Sequence, residues 1–307
     1  MPSRLEALLA SRLTGLGLAP DELLSRDAPG GLAAPGRFSA NRHCGWLPAR
    51  DGWVALNLAR PDDADLVMAL TGEAGDPWGA AAAFAAREDA TAVRDRAIEL
   101  QLPVAVPGEA APLDLAPLSL AVVPRRVVDL SALWAGPLCG GLLARMGAAV
   151  LRIDSVGRPD PTAHGSPGLD ARINGGKARL ALDFRTAEGR RRLVEEVAKA
   201  DVVITSARPA ALARLGLVPD RFAHLTWVAI TAHGFTGTGA LRVGFGDDCA
   251  VAGGLLAWAA QEPRFIGDAL ADPLTGLEAA RAVLSGRTGL IDMAMARVAA
   301  SYAAMLA

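Results

Sequence analysis

The sequence predicts an α/β protein in which a doubly wound parallel sheet is preceded by a smaller α+β unit. Three observations carry this prediction. Residues 126–154, RVVDLSALWAGPLCGGLLARMGAAVLRID, read as a strand, a tight turn, a helix and a second strand, the opening βαβ unit of a parallel sheet. Three further β-rich runs, ARLALDF, ADVVITS and TWVAITAHG, follow at intervals filled by helical patterns. Of the 307 residues 51% are hydrophobic, enough to bury the core of one large domain plus a smaller one.

Taken in order, MPSRLEALLASRLTGLGL has leucines at helical spacing with charges between them and reads as a packing helix. It lacks the long apolar core and small-residue cleavage site of a targeting signal. A Pro/Gly-rich loop at residues 27–36 leads to WLPARDGWVALNL, a hairpin signal with Asp51 and Gly52 as its two-residue turn. A helix begins near Pro61 and Asp62 with Leu66, Val67 and Leu70 on its buried side, helical stretches follow over residues 78–87 and 90–100, and LPVAV is a short strand. Residues 111–124, with prolines at 112, 117 and 124, read as a linker, so the expected domains are 1–110 and 125–307.

In the second domain Pro137 falls in the first turn of a helix and Gly147 where that helix should stop. Thr186 is the expected N-cap of the helix after the third strand, with Glu188 in its first turn. Helices are expected over residues 248–260 and 273–284, and GLIDMAMARVAASYAAML begins as a strand and ends as a helix. The fold class is therefore a Rossmann-like, doubly wound sheet with a small α+β domain in front.

A formal net charge of −2 argues against a nucleic-acid partner. Three scattered cysteines fit neither a disulfide framework nor a zinc site, which suits a reducing cytoplasm. The longest apolar run, CAVAGGLLAWAA, is shorter than the roughly 18 residues a membrane span needs and reads as a buried helix. The four histidines do not cluster in sequence and no metal is expected. Neither GxGxxG nor GxxxxGK[ST] occurs where a dinucleotide or phosphate loop would need it.

The AGP turn with LLARMGAAVLRID after it, then NGGKARLALDFRTAEGR and SARPAALARLGL, resembles family III CoA-transferases, and does so in the family's own order from about residue 125 to 307. That family includes the formyl-CoA and carnitine CoA-transferases and has the alpha-methylacyl-CoA racemases as close relatives. DGWVAL resembles a phrase that opens the family's small domain, which ordinarily follows the large one and here precedes it. The resemblance implies CoA transfer from an acyl-CoA to a carboxylic acid acceptor in an interlocked homodimer.

It also implies site residues. Asp272, in ADPLTGLEAARAVL, stands where the family has its catalytic aspartate, with Gly276 matching a following glycine; read from the residues alone, Asp272 before Pro273 is a helix N-cap worth about 1 kcal/mol. A carboxylate there attacks the acyl-CoA thioester and passes through an aspartyl-CoA intermediate, and a helix N-terminus should keep it ionised. Lys177 and Arg214 match basic residues of the family expected to meet CoA phosphates, with a solvated surface charge as the plain alternative. Ala135 and Trp134 align with positions lining the pantetheine and thioester region. Ser206 and Arg208 fall in the adenine region, where Ser206-Ala207 replaces a common Asn-Phe pair, and His233 stands where many relatives have Ser or Lys. Gly30-Gly31 and Gly253-Gly254 are candidate oxyanion donors, and Trp46, Trp134 and Trp258 candidate acyl-pocket walls. The competing functions are acyl-CoA racemisation, whose histidine is missing from GFGDDCAVAGG, and a degenerate module that binds an acyl-CoA or a partner subunit.

Overall fold

The computed structural model describes residues 2–28, 30–117 and 119–307. Helices α1 (Pro2–Arg12) and α2 (Pro20–Leu24) lead to a hairpin of β1 (Cys44–Pro48) and β2 (Trp53–Asn57), helices α3 (Asp63–Thr71), α4 (Pro77–Ala85) and α5 (Ala90–Glu99), and β3 (Val104–Ala105). The chain then alternates through β4 (Arg126–Asp129), α6 (Ala135–Arg145), β5 (Ala149–Ser155), α7 (Thr162–Gly165), α8 (Pro167–Asn174), β6 (Ala178–Leu182), α9 (Ala187–Ala198), β7 (Val202–Thr205), α10 (Pro209–Arg214) and β8 (Thr226–Thr231). It closes with α11 (Gly246–Ala252), the short pair β9 (Ala257–Ala259) and β10 (Glu262–Arg264), α12 (Ala271–Leu284), β11 (Leu290–Ala294) and α13 (Met295–Leu306).

Six strands form one sheet in the order β11-β8-β7-β4-β5-β6, and every pairing in it is parallel. The path starts at β4, runs outward through β5 and β6, and restarts on the other side at β7, so the strand order reverses between β4 and β7. A crevice opens at the carboxyl ends of strands at such a point. Alternate residues explain the two-sided packing: Val127 enters the core shared with α6, α12 and α13, while its neighbour Val128 enters the core shared with α9.

The smaller sheet, β1-β2-β3, is antiparallel and has its own core of Leu47, Val54, Leu56, Val67, Leu70, Val93 and Val104. The N-terminal helix does not join it. Leu5, Leu9 and Leu13 pack into the large core, and Arg12 donates through Nε to Glu278 Oε1 at 2.8 Å, a carboxylate that also accepts from Tyr302 Oη at 2.7 Å. Arg281 of α12 ties this network to the Arg12 carbonyl at 2.7 Å and the Pro117 carbonyl at 2.9 Å. The proline-rich stretch expected as a linker is therefore a strap bound along α12 and α13, with Ser301 donating to Leu113 O at 2.7 Å.

Two local expectations change. The hairpin turn centres on Arg50 and Asp51, because Ala49 N–H donates to Gly52 O at 2.9 Å and Pro48 pairs with Trp53; Asp51 instead accepts from Ala90 N–H at 2.7 Å, anchoring α5. The helix expected over residues 248–260 stops at Ala252, since Gly253 lies against α13 so closely that a Cβ would be 2.4 Å from Ala299 Cβ, and Gly254 turns the chain with φ +81°. The N-cap at Thr186 holds, its hydroxyl accepting from Gly189 N–H at 2.9 Å, and Gly147 ends α6 with φ +103°. Among the described residues no helix is long and apolar enough to cross a membrane.

Candidate active site

Beside the sheet's reversal point lies a cavity of about 450 Å³. Its walls come from distant parts of the chain: Leu133 and Trp134 from the turn after β4, Asp272 from α12, Phe245 to Asp247 at the start of α11, and Arg26, Asn41, His43 and Asn57 from the first 60 residues. Helices α6 and α12 meet closely here because Gly276 has no side chain; a Cβ on it would sit 2.5 Å from Ala135 O.

Asp272 is half-buried and opens into this space. It is not an N-cap. Leu270 holds that position without a side-chain bond, and Asp272 is the second residue of α12, its N–H donating to Ala269 O at 2.8 Å. Its carboxyl is pushed up to about 7, first by burial and then by the neighbouring Asp247, against the opposing influence of Arg26 and of the Ala135 backbone N–H. The expectation that a helix N-terminus alone keeps it ionised is thus corrected: burial and a like charge outweigh that field, and near neutral pH the group is poised between its two forms. Asp247, only 4% exposed, accepts from Ala269 N–H at 2.9 Å and is pushed up to about 6 by burial and by Asp268. Gly246 lets the two carboxylates share one wall, since a Cβ there would lie 2.2 Å from Asp272 Oδ2.

The cation of the site is Arg26, which pairs with Asp268 at 2.8 Å and covers the Trp134 ring at 5.7 Å from its centroid. Backbone strain concentrates at the same walls. Of the five non-glycine residues with left-handed backbone among the described residues, Leu133 (φ 68°) and Ala269 (φ 43°) line the cavity and Arg42 (φ 67°) sits between its lining residues Asn41 and His43. Ala269 uses that conformation to bond both residues, its N–H donating to the Asp247 carboxylate and its carbonyl accepting from the backbone N–H of Asp272. Held strain of this kind costs about 1 to 3 kcal/mol per residue and gathers at functional sites. Asp160 fixes the Leu133 turn, accepting from Leu133 N–H at 3.0 Å and from Arg152 at 2.7 Å.

Of the other expected site residues, Trp134 and Gly31 line the cavity with Asp272 and Ala135 reaches its carboxylate, whereas Lys177, Ser206, Arg208, Arg214 and His233 lie outside the lining. Lys177 is buried, neither a surface charge nor a free phosphate ligand: its three N–H donors go to Asp129 at 2.7 Å, Pro137 O at 2.6 Å and Asn174 at 2.8 Å, beneath the turn that carries Trp134. Ala135 meets Asp272 through its backbone N–H. Ser206 accepts from Ala132 N–H at 2.9 Å across the gap between β4 and β7, and Arg208 donates to Gln101 at 2.6 Å on the surface. Arg214 is exposed at the end of α10. His233 lies outside the cavity, its pKa pushed down to about 3 by burial and the charge of Arg242. Of the candidate glycines Gly31 lines the cavity, and of the candidate tryptophans only Trp134 does: Trp46 is core and Trp258 is 56% exposed. Asp247, Arg26, Asn41, His43 and Asn57 were missed as site residues, because no motif links them; Asp247, which ends the FGD of GFGDD, carried the one usable signal.

The family model for CoA-transferase family III matches residues 124–305. The chain belongs to this family. An acyl-CoA transferase of Fusarium pseudograminearum is 30% identical over 182 residues, covering 52% of this chain and 40% of the relative. The succinyl-CoA–D-citramalate CoA-transferase of Chloroflexus aurantiacus is 32% identical over 173 residues, covering 52% of this chain and 43% of the relative. Among solved structures, a CAIB/BAIF family protein from Brucella suis matches with a TM-score of 0.52 at 29% identity, over 59% of this chain and 55% of that one. The family III chain therefore spans less than half the length of these two curated relatives.

Proposed function

We propose that the protein is an acyl-CoA:carboxylate CoA-transferase working through a covalent intermediate on Asp272. The observation that carries this reading is the Asp272 carboxyl, half-buried and poised near neutrality, facing a small-molecule cavity at the reversal point of a family III sheet. A carboxylate oxygen of Asp272 attacks the thioester carbonyl, the C–S bond breaks and CoA thiolate leaves a mixed anhydride. The thiolate attacks the aspartyl carbonyl and expels the donor acid. The acceptor carboxylate then opens the aspartyl-CoA thioester, and thiolate attack on the acceptor's carbonyl frees Asp272 and the new acyl-CoA. Electrons and protons balance without a metal or a redox partner.

In this reading the cavity holds the acyl and thioester end. Trp134 Nε1 and Asn57 Oδ1, buried without protein partners on two lining residues, offer a donor and an acceptor to a polar acyl group. With Arg26 and Asn41 beside them, small dicarboxylic acids are the first acceptors to try. Arg208 and Arg214, both exposed, are the cations proposed to meet the CoA phosphates, Ser206 marks the adenine side, and the assembly is a cytoplasmic homodimer.

His43 on the cavity wall favours one second reading, acid/base exchange at the alpha carbon with an aspartate opposite, as a racemase requires. One assay separates the two: acyl-CoA and a free acid incubated in heavy water. CoA appearing on the acceptor supports transfer, whereas alpha-deuteration without acceptor acyl-CoA supports racemisation.

A further inference from the structure

Behind the cavity wall, the fold collects three metal-ligand types that the sequence keeps apart. A ring nitrogen of His233, a carboxylate oxygen of Asp248 and Cys249 Sγ lie within 4.8 Å of one another. His233 follows β8, whereas Asp248 and Cys249 sit in the first turn of α11, so the cluster joins the carboxyl end of an interior strand of the large sheet to the helix carrying Asp247. We infer that His233, Asp248 and Cys249 form a site for a thiophilic divalent cation of the zinc type.

Four features support this. Asp248 and Cys249 are fully buried, and His233 Nε2 is buried with no hydrogen-bond partner, which is costly unless something else satisfies it. The cluster has a supporting layer, because Asp248 Oδ1 accepts from Asn57 Nδ2 at 2.8 Å and from Phe245 N–H at 2.9 Å, leaving Oδ2 with only a 3.9 Å contact from Cys249 Sγ. Room is kept by Gly244, where a Cβ would stand 2.7 Å from Asp248 Oδ2 and 2.8 Å from Cys249 Sγ. The charges also balance: one thiolate and one carboxylate neutralise a dication, and Arg242, the cation that bears on His233, is already paired with Glu109 at 2.7 Å. Nitrogen, sulfur and oxygen donors from three side chains suit zinc, whose bonds of about 2.0 to 2.3 Å would draw the ligand atoms slightly together. With three protein ligands, a water would complete the tetrahedron, and the ion would fix the start of α11 and, through Asn57, the small sheet against it.

The test uses the full chain, purified without a histidine tag and dialysed against chelator. Cobalt(II) is titrated in, reading the thiolate-to-cobalt charge-transfer band and the metal content of the desalted protein. The proposal expects one cobalt per chain, displaced by one zinc, with loss of the band in Cys249→Ser and at least about 10-fold weaker binding in Asn57→Ala. His233→Gln should lose the band too, while His164→Gln, outside the cluster, keeps it. Wild-type protein that gives no charge-transfer band, or binds cobalt equally well after Cys249→Ser, overturns the site; the first result decides even if the variants fail to fold.

Discussion

The proposed mechanism puts the chemistry on a single carboxyl, that of Asp272, whose protonation has two measurable consequences. The folded-state pKa of Asp272 is raised to about 7 from an ordinary value of 3.8, so the native protein holds this proton more tightly than the unfolded chain. Its contribution favours the fold below pH 3.8 and is lost as the pH climbs towards 7, by at most about 4 kcal/mol over that window. Asp272→Asn should remove that pH slope from urea unfolding midpoints and leave the variant no less stable than wild type at pH 8. Transfer by the wild type should rise with pH through a midpoint near 7, because only the carboxylate is a nucleophile. Lys177 makes a contrasting case. Removing its ammonium strands the buried Asp129 carboxylate, so Lys177→Ala should cost about 3 to 5 kcal/mol in urea unfolding rather than act on CoA affinity alone.

Elements hold these residues in place, and the contact between α6 and α12 is the critical one. Gly276→Ala would press a methyl group against Ala135 O and Leu138, so an unfolding loss of about 1 to 3 kcal/mol is expected, with transfer impaired because Asp272 and the Ala135 N–H ride on the two helices. An unfolding midpoint equal to wild type would contradict that packing account. At this scale the sequence was most informative. Period and punctuation located β4 through β8, Thr186 and Gly147, because local chemistry decides them. It misplaced what tertiary contact decides: α11 ends early because Gly253 abuts α13, and the hairpin turn shifts because Asp51 is drawn to Ala90. The family resemblance singled out Asp272, whereas its place one residue inside α12 and its pKa, raised by burial and Asp247, lay beyond a local window. Lys177 showed as a basic residue in a motif, but its burial under Pro137 O could not be read from a local window.

At the scale of the whole molecule, the cavity depends on residues from the first 60 meeting residues beyond 240, which no local pattern announces. Arg26 and Asn57 became site residues only because α1 is locked to α12 through Glu278 and the small sheet packs on α11. Light scattering at micromolar concentration should give twice the 31.6 kDa chain mass; a clean monomer would contradict the proposed dimer. Calorimetric titration of Arg208→Ala and Arg214→Ala with CoA should show affinity falling by about 1 to 3 kcal/mol for a residue that bonds a phosphate, with unchanged affinity in both returning them to solvated surface charges. The most direct test of the central claim is chemical trapping. Protein incubated with acyl-CoA and then hydroxylamine is digested and its peptides are weighed by mass spectrometry. The account predicts a hydroxamate on the peptide carrying Asp272, formed only with acyl-CoA and absent from Asp272→Asn; an unmodified Asp272 peptide from protein that is transferring CoA would contradict it.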